Sequence, residues 1–253
     1  FVVVDEAQDV GVAELRFLLA LGSGNSDGLF FAGDLGQRIF QQPFSWRSLG
    51  VDIRGRSQTL KINYRTSHQI RTQADRLLPG DISDVDGNSE NRRGTISLFD
   101  GPAPRIEFFD DADAEAQAVA QWIMDLIEDG VEPQEIGIFV RSENQLKRAM
   151  NVAAPCGLTP IILSGNSIQT GPGISIGTMH DAKGLEFRAV AVMACDDEII
   201  PLNERVENVA DESDLEEVYA SERHLLYVAC TRARDFLMVT GVEPVSEFLG
   251  DMA

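Results

Sequence analysis

The chain opens on an apolar, mostly β-branched run, Phe1-Val2-Val3-Val4, met at once by Asp5 and Glu6. Such a run reads as a buried parallel strand, and its C-terminal end is where open α/β sheets bind ligands. From Val12 to Leu21 the apolar residues Val12, Leu15, Leu18 and Leu19 keep helical spacing, with Gly22 as the stop. Leu29-Phe30-Phe31-Ala32 is a second short strand running into Gly33-Asp34-Leu35-Gly36-Gln37. Gln58 to Ile62 reads as a third strand that leads into Asn63-Tyr64-Arg65-Thr66-Ser67. Ser67 is placed to cap a helix over His68 to Leu78, ended by Pro79-Gly80.

Residues 80–104 hold no long periodic run and read as connector with edge-strand material. Beyond them strand and helix alternate. Arg105 to Phe109 alternates as a strand; Ala112 to Glu128 is a helix with Ala116, Val119, Ile123, Leu126 and Ile127 on one face. Strands follow at 135–140, 160–163, 174–178, 188–194 and 236–240, with helices at 143–152 and 214–234. This βαβ alternation predicts a parallel sheet with helices on both faces.

Composition narrows the class. At 253 residues and 43% hydrophobic content the chain can build proper cores. Its longest apolar runs fall well short of a membrane span, and no basic n-region opens the sequence, so a soluble, cytoplasmic protein with no membrane partner is expected. Cys156, Cys195 and Cys230 are scattered and match no metal pattern, as are His68, His180 and His224; reduced core thiols and no zinc site are expected.

Charge complicates the picture. There are 41 acidic and 21 basic residues, a formal net charge of −20. That sum argues against generic nucleic-acid binding, because a polyanion is repelled at long range. The distribution is uneven: residues 1–76 are nearly balanced, while acids crowd 107–118 and 196–217 and read as solvated faces.

Candidate chemistry gathers at the ends of the apolar runs. Asp5 and Glu6 suit a metal–phosphate site or an ordinary acidic loop. Gln37 is able to orient a water or bond a phosphate oxygen, or is simply part of a polar turn. Phe40, Phe44 and Trp46 interleave with Arg38 and Arg47, which suits stacking on unpaired bases with phosphate contacts nearby, or packing at a sheet edge. Arg65, just ahead of a helix, is placed to meet a phosphate. Gly184 lets backbone approach a ligand, and Glu186 can accept from a sugar hydroxyl. Arg232, read as helix-borne, could neutralise charge on a transferring phosphoryl group.

In order along the chain, DEAQD, GDLGQRIF with SWR, LKINYRT, THDAKGLEF (Met179 intervening after Thr178) and ERHLLYVACTRA resemble motifs II to VI of UvrD/Rep-type superfamily 1 DNA helicases. The resemblance implies an α/β, RecA-like P-loop NTPase architecture. Residues 1–66 would be the C-terminal part of a first lobe, 67–104 a connecting helix and linker, and 105–253 a second lobe with a parallel sheet. The large subdomain usually inserted before motif V would be absent or minimal.

By the same resemblance the cofactors are ATP and Mg²⁺, and the partner is single-stranded DNA. Asp5 would hold the metal through its coordination sphere and Glu6 would be the general base. Gln37 would sense the γ-phosphate, Arg65 and Arg232 would be arginine fingers, and Glu186 would bind the ribose. Trp46 would stack on a base, and Thr178 and His180 would touch the strand. Phe40 stands where the family usually has Tyr, and Gln41-Gln42-Pro43-Phe44 is inserted within motif III, so Phe44 shares the candidate stacking role.

The chain opens mid-strand without Met and contains no GxxxxGK[ST] sequence, so it is expected to be part of a longer protein and to hydrolyse ATP poorly alone. The alternative is a helicase-like module that binds or regulates without catalysis.

Overall fold

A computed structural model describes residues 1–22, 27–34, 37, 39, 44–51, 56–83, 86, 89–91, 94–164 and 171–252. In chain order its elements are β1 (Val2–Val4), α1 (Val12–Gly22), β2 (Leu29–Phe31), β3 (Ile62–Asn63), α2 (His68–Ala74), β4 (Asp81–Ser83) and β5 (Ser89–Asn91). There follow β6 (Ile96–Ser97), β7 (Arg105–Phe109), α3 (Ala112–Glu128), β8 (Ile136–Val140), α4 (Leu146–Met150), β9 (Pro160–Ile162) and β10 (Ile174–Thr178). The chain closes with β11 (Phe187–Val192), α5 (Asn203–Glu207), α6 (Glu212–Cys230), β12 (Ala233–Val242) and α7 (Glu247–Met252).

These elements form two compact units, Phe1–Lys61 with Pro79–Thr95, and Ile62–Leu78 with Ile96–Ala253. The segment 67–104, read from sequence as one connector, is therefore divided between them. In the first unit β1 and β2 pair in parallel, Val2 opposite Leu29 and Val4 opposite Phe31, and α1 buries Leu15 completely. In this chain Val3 is 61% exposed and Phe30 is also exposed, since among the described residues β1 and β2 pair with each other alone.

The second unit is built on six parallel strands in the order β7-β12-β11-β8-β10-β9. Ile136, Ile138 and Val140 of β8 join Val119 and Ile123 of α3 and Ala149 of α4 in one core. The alternate positions face away from that core, with Gly137 against the Phe139 and Phe187 rings, and α6 packs on β11 and β12. Helix α3 starts where Asp111 accepts from the Ala114 N–H at 2.8 Å, and α6 where Asp211 accepts from Asp214 at 3.0 Å.

Several expectations change. The strand over 58–62 shrinks to Ile62–Asn63, since its partner β6 offers only Ile96 and Ser97. The helix from His68 stops at Ala74 and tightens into a 3-10 turn over Asp75–Leu77, and that over 143–152 likewise splits into a 3-10 turn and α4. The last long helix ends at Cys230, where the Thr231 hydroxyl bonds back to the Tyr227 carbonyl at 2.8 Å. Arg232 and Arg234 therefore lie beyond the helix rather than on it. The acidic stretches are not only solvated faces: Glu115 is fully buried. Glu115 accepts from Arg148, the Thr240 hydroxyl and the Ala194 N–H, and Asp196 takes the other end of Arg148. The three cysteines are free thiols, and burial pushes that of Cys230 up to about 12. No described helix is long and apolar enough to cross a membrane.

Candidate functional site

In the first unit the parallel register of β1 and β2 brings the residues after Val4 beside those after Phe31. The Ala32 N–H reaches Val4 O and the Ala7 N–H reaches Ala32 O, each at 2.8 Å. Glu6 turns the chain at φ 52°, ψ 41°, a left-handed conformation uncommon for a residue with a side chain, and its N–H donates to Asp5 Oδ1 at 2.9 Å. Asp5 and Glu6 are exposed, while Gln8 behind them is only 8% exposed.

The Gln8 amide donates to Glu6 Oε2 and accepts from the Asp34 N–H at 3.0 Å; Asp34 Oδ2 in turn accepts from Gln37 Nε2 at 2.8 Å. Two of the sequence candidates, Glu6 and Gln37, are thus ends of one hydrogen-bonded chain. Asp5 and Glu6 also border a cleft of about 640 Å³ whose other walls include Glu14 and Phe17.

The aromatic candidates sit in the same unit. Phe31 meets the Trp46 ring edge-on at 4.9 Å between centroids, and the Phe44 ring lies parallel to Trp46 at 6.3 Å. The half-buried Trp46 begins a turn fixed by Asp86, which accepts from the Ser45 hydroxyl at 2.5 Å and the Arg47 N–H at 3.0 Å. These bonds hold the Asp86 carboxyl below its ordinary range. Arg47 is exposed. Phe40 lies outside the described residues.

In the second unit three distant segments converge. Arg65 pairs with Glu186 at 2.8 Å, both side chains roughly half-exposed. Arg232, only 1% exposed, donates from Nε to Val228 O at 3.0 Å and from Nη1 to Leu185 O at 3.4 Å. The Phe187 N–H bonds Arg232 O at 3.0 Å, and the Ser67 N–H bonds Arg234 O at the same distance. Gly184 takes φ 77°, and the place of its missing Cβ is open. Arg65, Gly184, Glu186 and Arg232 are therefore neighbours although they come from opposite ends of the sequence.

Thr178 ends β10, and its hydroxyl donates to Asp181 Oδ2 at 2.6 Å. His180 is half-buried; burial first, and then the charge of Arg141, hold its pKa below the ordinary histidine value, so the ring is neutral at pH 7. Sequence reading missed what stands beside it. Arg141, the residue after β8, makes a buried bidentate pair with Glu222 at 2.5 and 2.6 Å, and Arg205 adds a contact to Glu222 at 2.7 Å. An arginine directly after a predicted strand was the available signal. Gln8 and Gly33 were missed as well, because their roles depend on contacts across the turn.

No group of three or more potential metal ligands occurs among the described residues. A Mg²⁺ ion would fit here as one carried mainly by phosphate and water, with Asp5 as the protein's contribution.

Residues 151–243, all in the second unit, match the family model described as UvrD-like helicase C-terminal domain. The chain is 25% identical over 96% of its length to a protein named Probable DNA helicase from Mycoplasma pneumoniae, spanning 43% of that protein. A stretch of 27% of the chain is 38% identical to the ATP-dependent DNA helicase PcrA of Staphylococcus epidermidis, covering 9% of it. Among solved structures, the C-terminal domain of a possible DNA helicase from Lactobacillus plantarum superposes with a TM-score of 0.50 at 23% identity, over 76% of this chain and 94% of that one. The chain thus spans less than half the length of these curated relatives. The family match bears out the resemblance to UvrD-type helicases, and the superposition bears out an α/β fold of the helicase C-terminal kind.

Proposed function

We propose that this chain is the C-terminal motor portion of an ATP-dependent DNA helicase or translocase that moves along single-stranded DNA, 3′ to 5′ by its resemblance to the UvrD/Rep type. The observation that carries the reading is the convergence of Arg65, Glu186 and Arg232 in one unit. A scaffold that only binds has no need to assemble two arginines and a sugar-binding acid from three separate motifs.

In this reading bound Mg²⁺ shields phosphate charge, and Asp5 holds it. Glu6 accepts the proton of the attacking water, and Gln37 bonds the γ-phosphate. Arg65 and Arg232 place positive charge on the transferring group. Glu186 accepts from the ribose hydroxyl after releasing Arg65. Trp46 and Phe44 offer aromatic faces to bases, Arg47 a phosphate contact, and Thr178 and neutral His180 hydrogen bonds to the strand. The second reading is a non-catalytic helicase-like module, and a GxxxxGK[ST] sequence upstream in the full-length protein would count against it.

One experiment separates them. ATP hydrolysis by the full-length protein is measured with and without single-stranded DNA, beside Glu6→Gln. The motor reading expects DNA stimulation, and a loss on the order of 10²-fold or more in the variant. No stimulation and no effect of Glu6→Gln would leave the non-catalytic module.

A further inference from the structure

We propose that Gln8 is a positioning residue for the general base: its amide fixes the Glu6 carboxylate and joins it to Asp34 and, through Asp34, to Gln37. The inference rests on the hydrolytic reading of Glu6 above and adds a residue which that reading leaves without a role.

Gln8 is buried in a segment where Asp5 and Glu6 are exposed. Burying a carboxamide costs free energy unless both its ends are bonded, and both are. Nε2 donates to Glu6 Oε2, and Oε1 accepts from the Asp34 N–H at 3.0 Å. The fit is close: a Cβ on Gly33 would come 2.6 Å from Gln8 Oε1, so the glycine leaves room for the amide. Glu6 is held at its other end by its left-handed backbone and by the bond from its N–H to Asp5. Glu6 is thus held at its backbone and at its carboxylate, where Gln8 engages Oε2.

The same amide is the link through which Gln37 can bear on the base. Gln37 Nε2 donates to Asp34 Oδ2 at 2.8 Å, and the Asp34 N–H is the group bonded to Gln8. A ligand that draws Gln37 away shifts Asp34, and the next atoms to respond are those of Gln8 and Glu6. The step nearest the base, from Gln8 to Glu6, is the one that paired substitutions measure.

The experiment uses the full-length protein and steady-state DNA-stimulated ATP hydrolysis. Gln8→Leu is expected to lower kcat by about 10- to 100-fold, the range for a misplaced catalytic group, with KM for ATP nearly unchanged. Gln8→Glu keeps the size of the side chain and its acceptor for Asp34 but turns a second carboxylate toward Glu6, and is expected to fall at least as far. This second variant decides the outcome if Gln8→Leu does not fold. In a Glu6→Gln background, adding either substitution is expected to change nothing more, since Gln8 acts through Glu6. The proposal is overturned if both single variants keep kcat within about twofold, or if they lower the rate by the same factor with and without Glu6. Failure of the hydrolytic reading looks different: Glu6→Gln alone would then leave the rate intact.

Discussion

His180 shows how a single ring registers its surroundings. Burial and the Arg141 charge lower its pKa, while Glu222 and Asp181 act in the opposite sense and Arg205 lowers it further. The unfolded chain, with a histidine near 6.5, binds a proton at a pH where the folded unit does not. The ring's contribution to stability is therefore complete above that value and is lost as pH falls through it toward the lower folded pKa. The thermal midpoint of the chain should drop between about pH 7.5 and pH 5.5, and His180→Gln should flatten part of that drop; parallel profiles would exclude the effect. The Arg65–Glu186 pair is a different case. It is open to solvent, and exposed pairs contribute about 0–1 kcal/mol, so separating the two side chains costs little. Both residues were legible in the sequence because each sits in a dense motif. Gln8 was not, since a glutamine's role is set by the groups that meet its amide, and one of these belongs to the distant Asp34.

At the scale of elements, the Arg141–Glu222 pair ties the end of β8 to α6. Removing one member strands a buried charge, which typically costs about 3–5 kcal/mol, whereas replacing both with apolar residues is often neutral. Denaturant unfolding should show Glu222→Leu strongly destabilised and Arg141→Met with Glu222→Leu recovering much of the loss. Additive losses would mean that the pair is not the unit that matters. The elements themselves were legible in proportion to their periodicity. Helix α3 runs from Ala112 to Glu128 as expected, because its apolar face repeats over four turns and Asp111 caps it. Strand β3 was overestimated because its length is set by the two residues of β6, and nothing within Gln58–Lys61 records that. Helix α6 was carried too far because a threonine hydroxyl, not a glycine or proline, ends it.

For the whole chain, the two units are unequal in what they bury. The second unit has a six-stranded sheet and an extended apolar core, while the first leaves Phe1, Val3, Phe17 and Phe30 exposed around the short pair β1 and β2. Local stability follows burial, so native-state hydrogen exchange should release the amides of β1 and β2 well before those of β8, β10 and β11. Uniform protection across both units would contradict this. The βαβ order of the second unit was legible from residue 105 onward because each strand and helix announces its period. The spatial order of its strands was not, since pairing partners are chosen across the sheet.

That order has a consequence for how the protein is made. The strand latest in sequence, β12, lies between β7 and β11 and supplies the pairing edge for both. As the chain emerges from the ribosome, β7 is the first strand of its sheet to appear, yet its one neighbour is made after all the others. It must wait, edge bare, through the synthesis of every strand between them. The sheet closes only once β12 has emerged, and the interval before closure is when its strands are most exposed to wrong pairing.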